Sequence, residues 1–258
     1  MEIQLDQGNY EDVITRARAV LRKDERHVDA MVVLASANYA LKRNELAKSI
    51  LGQAIELNPK RADLYNMVGS IELRLGDRPA AMVNYRKAIE LRPDYSEARN
   101  NLGVLFQEAQ DFDASAQEFQ TAIRYYPTFR EAYLNLGNAK KGLGKFKDAE
   151  LAFKKAISID GRYADAYFNL GILYLDSEIP GVETTARLQR SIETFNRYKE
   201  VLRGKIPKED PADKYIEEAK NAIEVEKQKA EMMREAQMGA DDDEESEDDA
   251  DDESGDDE

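Results

Sequence analysis

The chain has 258 residues, 42% hydrophobic and 34% charged, with no cysteine and a formal net charge of −15. Lack of Cys excludes disulfides and thiolate chemistry, and no apolar run reaches the about 18 residues that suggest a membrane span. Residues 241–258 hold 14 Asp or Glu and no Lys or Arg; taking those from the 52 acidic residues leaves 38 against 37 basic ones over the first 240 positions. The body is nearly neutral, the acidity is an appendage, and neither part has the cationic surplus that a nucleic-acid binder needs to displace counterions.

Along the chain, apolar residues first recur at helical spacing between Val13 and Val20, which predicts one amphipathic helix within residues 1–27. From Val28 a 34-residue unit begins, and it starts again at Ala62, Ser96, Arg130 and Ala164. Position eight of the units reads Ala35, Gly69, Gly103, Gly137 and Gly171. Position twenty reads Ala47, Ala81, Ser115 and Ala149, and position twenty-seven Ala54, Ala88, Ala122 and Ala156. Position twenty-four is large (Leu51, Tyr85, Phe119, Phe153), and position thirty-two is Pro59, Pro93 and Pro127, then Gly161. Each unit predicts two amphipathic helices, as in Leu102, Leu105 and Phe106 followed by Phe112, Ala116, Phe119 and Ile123. Gly or polar residues separate the two, and the Pro ends the second helix. Small residues let the helices approach, large ones fill the space between, and one pair alone could not bury its own face.

These columns resemble the tetratricopeptide repeat, and the resemblance covers roughly residues 1–203. It implies an all-α fold: a right-handed α-solenoid of helix-turn-helix repeats. Residues 1–27 form a partial first repeat in which Gly8 and Tyr10 take positions fifteen and seventeen and Met1 position eight. Most of a first helix is missing there. Either the natural chain extends upstream, where a targeting signal or lipid anchor could lie, or residues 2–6 supply a stub of helix. Residues 28–203 make five repeats, the last with an insertion of about eight residues near 177–190. That insertion is either a partner contact or a tolerated longer turn. In 204–236 a capping helix is expected, with Tyr215, Ile216, Ala219, Ala222 and Ile223 forming one apolar stripe. Residues 237–258 read as a disordered acidic tail. It serves solubility, docks a basic partner, or folds back on Lys140, Lys141, Lys145 and Lys147.

No catalytic constellation is found. His27 is the one histidine, in a charged turn, and Ser36 and Ser70 have no His to activate them. Gly142 and Gly144 belong to an inter-helix turn rather than a phosphate loop, and no calcium-loop pattern occurs. The expectation is a non-enzyme with no metal and no cofactor.

The resemblance places positions two, five, six, nine, twelve and thirteen on a concave groove that binds a protein or peptide. Position six reads Val33, Met67, Asn101, Asn135 and Asn169. An Asn amide can pair with the backbone of an extended peptide, so the three asparagines are either a ladder for such a ligand or polar filler common at this position. Asn138 and Lys141 continue the stripe from Asn135, and Tyr39, Leu73, Ile172 and Leu175 supply apolar contact. Position two is acidic throughout: Asp29, Asp63, Glu97, Glu131 and Asp165. Family members that clamp acidic chaperone C-termini carry Lys or Arg at positions two and six, so such a ligand is not expected here, whereas a basic or neutral segment fits.

The "GILYLDSEIPGVETTARLQRSIETFNRYK" stretch is similar to outer-membrane-linked tetratricopeptide lipoproteins of adventurous gliding motility. That resemblance implies an assembly factor of an envelope complex, at the periplasmic face of the outer membrane if a lipoprotein signal lies upstream, and a cytoplasmic location otherwise. A pilotin-like factor for secretin assembly and a cytoplasmic co-chaperone or histone-chaperone-like protein with an acidic client-shielding tail are the alternatives.

Overall fold

The structure is a computed structural model that describes residues 10–203 and 210–248. Among the described residues it holds twelve helices and no strand: α1 (Tyr10–Leu21), α2 (Val28–Ala40), α3 (Asn44–Leu57), α4 (Ala62–Leu75), α5 (Arg78–Leu91), α6 (Ser96–Glu108), α7 (Phe112–Tyr125), α8 (Arg130–Gly142), α9 (Phe146–Ile159), α10 (Ala164–Asp176), α11 (Thr184–Leu202) and α12 (Ala212–Asp248). Five helix starts fall on the five predicted repeat origins. The chain forms two compact units, Met1–Lys145 with α1–α8 and Phe146–Glu258 with α9–α12. Within each, consecutive helices pack against one another, the all-α solenoid arrangement that the repeats imply.

In the first unit every turn inside a repeat is built the same way. Position fifteen is left-handed, with φ of 60° at Lys42, 91° at Gly76, 61° at Gln110 and 69° at Gly144. The next amide reaches back across the turn: Arg43 N–H to Asn38 O, Asp77 to Glu72, Asp111 to Phe106 and Lys145 to Lys140, each at 2.9 Å. These bonds satisfy carbonyls that the helix end would otherwise orphan. Glycine suits that conformation, while Lys42 and Gln110 adopt it at a cost of about 1 kcal/mol. Asp77 and Asp111 then cap the following helices, accepting from the Ala80 and Ala114 amides at 2.9 and 3.1 Å. His27 does the same for α2, its Nδ1 accepting from Ala30 N–H at 3.1 Å.

The core follows the small and large columns. Ala47, Ala81, Ala54, Ala88 and Ala122 are wholly buried, as are Leu51 and Phe119, with Tyr85 at 1% exposure. A Cβ placed on Gly69 would stand 2.6 Å from the Tyr85 ring, and one on Gly103 would stand 2.7 Å from Phe119. Position eight is therefore small because position twenty-four of the same repeat fills the space. Where position eight is Ala35, its counterpart is the smaller Leu51. At the start of the chain, α1 supplies Val13, Ile14 and Ala17 to a core shared with Leu34, Leu51 and Leu64. Gly8 and the helical stub considered for residues 2–6 lie outside the described residues.

In the second unit the same rule holds, a Gly171 Cβ standing 2.9 Å from the Phe195 ring. The insertion divides into a loop, 177–183, and a lengthened α11 of 19 residues. Its loop is packed: Ile179 is 3% exposed. Arg187 is buried and donates to the Tyr174 and Leu175 carbonyls at the end of α10. Glu183 caps α11, accepting from the Thr185 and Ala186 amides. Beside this end, Tyr174 OH donates to Glu150 at 2.6 Å and Lys154 pairs with the same carboxylate. Burial opposes ionisation of Glu150, but the Lys154 and Tyr174 hydrogen bonds outweigh it and hold the carboxyl below its ordinary range.

The helix after Pro211 lays its predicted stripe on the last repeat. Ala212, Ile216 and Ala219 are buried, and Tyr215, Ala222 and Ile223 pack beside Leu175, Leu188 and Ile192. From Lys227 to Gln237 the side chains are exposed, Met232 and Met233 among them. The helix runs through Asp248, past the boundary at 236 where composition predicted disorder to begin. Gln237, Met238, Ala240, Glu244, Glu245 and Glu247 favour helix while Gly239 and the Asp residues do not, and a helix already nucleated on the cap gains a bond with each further residue without a new nucleus. Residues 249–258 of the predicted tail, and 204–209 ahead of the cap, lie outside the described residues.

Candidate functional site

The first helices of the repeats in the first unit are α2, α4, α6 and α8, and neighbours α4, α6 and α8 touch in sequence. Their shared face carries the predicted groove positions, and two of the predicted asparagines are organised there. Asn101 Nδ2 donates to Asn66 Oδ1, and Asn135 Nδ2 to Asn100 Oδ1, both at 3.0 Å. Each bond joins position six of one repeat to position five of the repeat before, 35 residues apart. The amides are half-buried. Their rotamers are thus fixed, while Asn101 and Asn135 each keep an acceptor oxygen and a second N–H without a partner among the described residues. Side-chain amides held in this way can pair with a backbone N–H and C=O of an extended segment.

Sequence reasoning missed Asn66 and Asn100. The signal was present, because an Asn at position six has a partner only where the residue 35 earlier is also Asn. For Asn169 that residue is Leu134. In the second unit Asn169 accordingly turns back on its own helix, donating to the Asp165 carbonyl at 2.8 Å. It does not extend the pattern of Asn101 and Asn135.

The apolar candidates are placed differently from what was expected of them. Leu175 is 9% exposed and packs under α12 with Leu188 and Ala219. Ile172 joins Phe168, Phe195 and Tyr215 in the adjoining cluster. Both are covered by the chain's own cap, because α12 takes the place that a following first helix would occupy. Tyr39 has one ring face covered by the Arg74 guanidinium, 3.4 Å from the ring centroid, and its OH donates to the Ser70 carbonyl at 3.3 Å. Leu73 packs inward against Ala81, Tyr85, Leu102 and Leu105. Asn138 and Lys141 are half-buried one and two turns along α8 from Asn135, as their spacing requires, and Lys141 is engaged within the protein.

The acidic column is unevenly neutralised. Arg61 binds both Asp29, at 2.5 Å, and Asp63, at 2.9 Å, and Arg130 lies 2.8 Å from Glu131. Hydrogen bonding to Asp63 and Asp29 raises the Arg61 pKa further. Glu97, in the first turn of α6 and exposed, has no hydrogen-bond or ion-pair partner among the described residues. Its neighbour Arg99 is committed to Glu118 at 2.9 Å and to the Pro93 carbonyl.

No group of three or more His, Cys, Asp or Glu poised to hold a metal occurs among the described residues, and none of their helices is long and apolar enough to cross a membrane. Such a stack of helix hairpins, presenting polar side chains along its first helices, is a scaffold for protein interaction. The tetratricopeptide repeat family supplies the match: its repeat models fit residues 4–71, 69–110, 100–140 and 131–163. The chain belongs to that family. Among solved structures it is similar to MamA, at 25% identity over 61% of this chain and 86% of that one, with a TM-score of 0.51. PilW, a type IV pilus biogenesis factor, matches at 22% identity over 74% of this chain and 86% of its own, with a TM-score of 0.63. YrrB, described as a tetratricopeptide protein with an unusual peptide-binding site, matches at 16% over 73% and 93%, with a TM-score of 0.55. A search of curated proteins returned no match.

Proposed function

We propose that this protein is a non-enzymatic adaptor that holds an extended segment of a partner protein on the first-helix face of its first unit. The observation that carries the reading is the pair of inter-repeat amide bonds, Asn66 to Asn101 and Asn100 to Asn135. They hold four half-buried amides in one orientation on adjacent helices, so a ligand backbone meets donors and acceptors whose ordering cost has been met in advance. We further propose that the adaptor serves as an assembly factor in a bacterial envelope complex of the gliding-motility kind, at the periplasmic face of the outer membrane if a lipoprotein signal precedes this chain and in the cytoplasm otherwise. A pilotin-like role in secretin assembly is the second reading, favoured by the likeness to PilW.

The test is in-cell crosslinking from a photoreactive residue at position 104, one turn along α6 from Asn101, with the Asn101→Ala/Asn135→Ala variant as comparison. A discrete crosslinked partner that the double variant loses supports the adaptor. A partner recovered equally by both defeats the amide site, and fractionation of the same cells reads the compartment.

A further inference from the structure

The amide pairs say how a backbone is held; the charges around them say which segment is held. Along the first turns of α4, α6 and α8 the carboxylates are Asp63, Glu97 and Glu131. Asp63 shares Arg61 with Asp29, and Glu131 lies beside Arg130, so Glu97 is the carboxylate of this row that has no ion-pair partner among the described residues. That residue lies one helical turn from Asn101 on the same face of α6. The nearest cation along its helix, Arg99, is held on the far side by Glu118 and the Pro93 carbonyl. An acid in a first turn steadies its helix, but that role is met equally by the paired Asp63 and Glu131.

We infer that Glu97 is the specificity determinant of the first-helix face: it selects an extended partner segment carrying a Lys or Arg side chain one or two residues from the backbone groups that pair with Asn101 and Asn135. This inference rests on the adaptor reading above. The charge argument also excludes one occupant within the chain. Residues 241–258, with 14 Asp or Glu and no Lys or Arg, have the same sign as Glu97 and are repelled from it.

The experiment is selection of random dodecapeptides displayed on phage against the full chain, its Glu97→Gln variant and its Asn101→Ala/Asn135→Ala variant. Thermal melts run alongside, and Glu97→Gln should melt only slightly below wild type, because Glu97 is exposed and unpaired and only its first-turn charge is lost. The expected result is enrichment of Lys- or Arg-containing peptides by wild type and loss of that bias with Glu97→Gln. A synthetic selected peptide should bind Glu97→Gln about three- to fivefold more weakly, the range of an exposed ion pair, and the difference should shrink with added salt. Retention of the same basic bias by Glu97→Gln, or enrichment of neutral and acidic peptides by wild type, overturns the selection by Glu97 while leaving the amide site standing. Peptides bound equally by wild type and by the double Asn variant defeat the amide site itself.

Discussion

The Asn-Leu-Gly segment occurs in both units, and the two units use it differently. In the first, Asn101 and Asn135 reach across to the preceding repeat, and the face around them carries polar side chains. In the second, Asn169 bonds its own helix, and the apolar residues of the same face, Phe168, Ile172 and Leu175, lie against α12. Leu102 and Leu170, and Gly103 and Gly171, meanwhile do identical work in both places, buried against the neighbouring helix. The tripeptide therefore specifies packing by itself, but the asparagine acquires a role only from what stands 35 residues before it and from whether a following helix covers the face.

The largest expected effect would break the second unit alone. Phe195 is fully buried, touching Phe168 at a centroid distance of 5.8 Å and Tyr215 at 5.5 Å. Phe195→Ala should cost about 3–5 kcal/mol. In urea melts followed by hydrogen exchange, α10–α12 should lose protection while α2–α7 keep theirs. Uniform loss across both would show that the units do not unfold separately.

Releasing the cap comes next. Ala219 is wholly buried between Leu175 and Leu188, so Ala219→Asp forces an unpaired carboxylate into an apolar contact at a cost of about 2–4 kcal/mol. The expected readout is loss of amide protection over 212–226 together with new binding of a hydrophobic dye at the uncovered Ile172 and Leu175. If protection there is unchanged, α12 is not held by this stripe.

A pair of glycine changes should move stability in opposite directions. Gly103→Ala drives a Cβ to 2.7 Å from Phe119 and should destabilise by about 1–3 kcal/mol. Gly52, inside α3 and exposed, has nothing within 4 Å of a new Cβ. Gly52→Ala should therefore stabilise by about 0.5–1 kcal/mol through reduced backbone freedom of the unfolded chain. Equal melting temperatures for the two variants would contradict the packing rule.

These contrasts also mark what could be read from residues alone. The repeat origins, the small and large columns and the stripe on α12 follow from periods of 3.6 and 34 residues, which packing imposes on sequence directly. The pairing of amides between repeats was legible in principle, because Asn66 and Asn100 stand at a fixed offset from Asn101 and Asn135. The fates of Tyr39 and Leu175 were not. Tyr39 is occupied by an arginine whose reach no periodicity encodes, and Leu175 is covered by a helix that lies outside the repeat frame. Continuation of that helix through Asp248 was obscured by charge, which signals solvation without fixing backbone conformation.

The smallest effect concerns pH and only the second unit. Tyr198 donates to Asp210 at 2.5 Å, just before α12 begins. Burial, and then this bond to a carboxylate, raises its pKa to about 12. Between the unfolded phenol's value near about 10 and that figure, the folded state binds more protons than the unfolded one, so stability should fall as pH rises through this window and be unaffected below it. Tyr174 of the same unit is also raised, by burial and by its bond to Glu150, so Tyr198→Phe should lessen the alkaline slope of the second unit's melting profile without removing it, while the first unit's profile stays as it was. An alkaline slope as steep in Tyr198→Phe as in wild type would assign it to Tyr174 and remove Tyr198–Asp210 from the bonds that hold the cap.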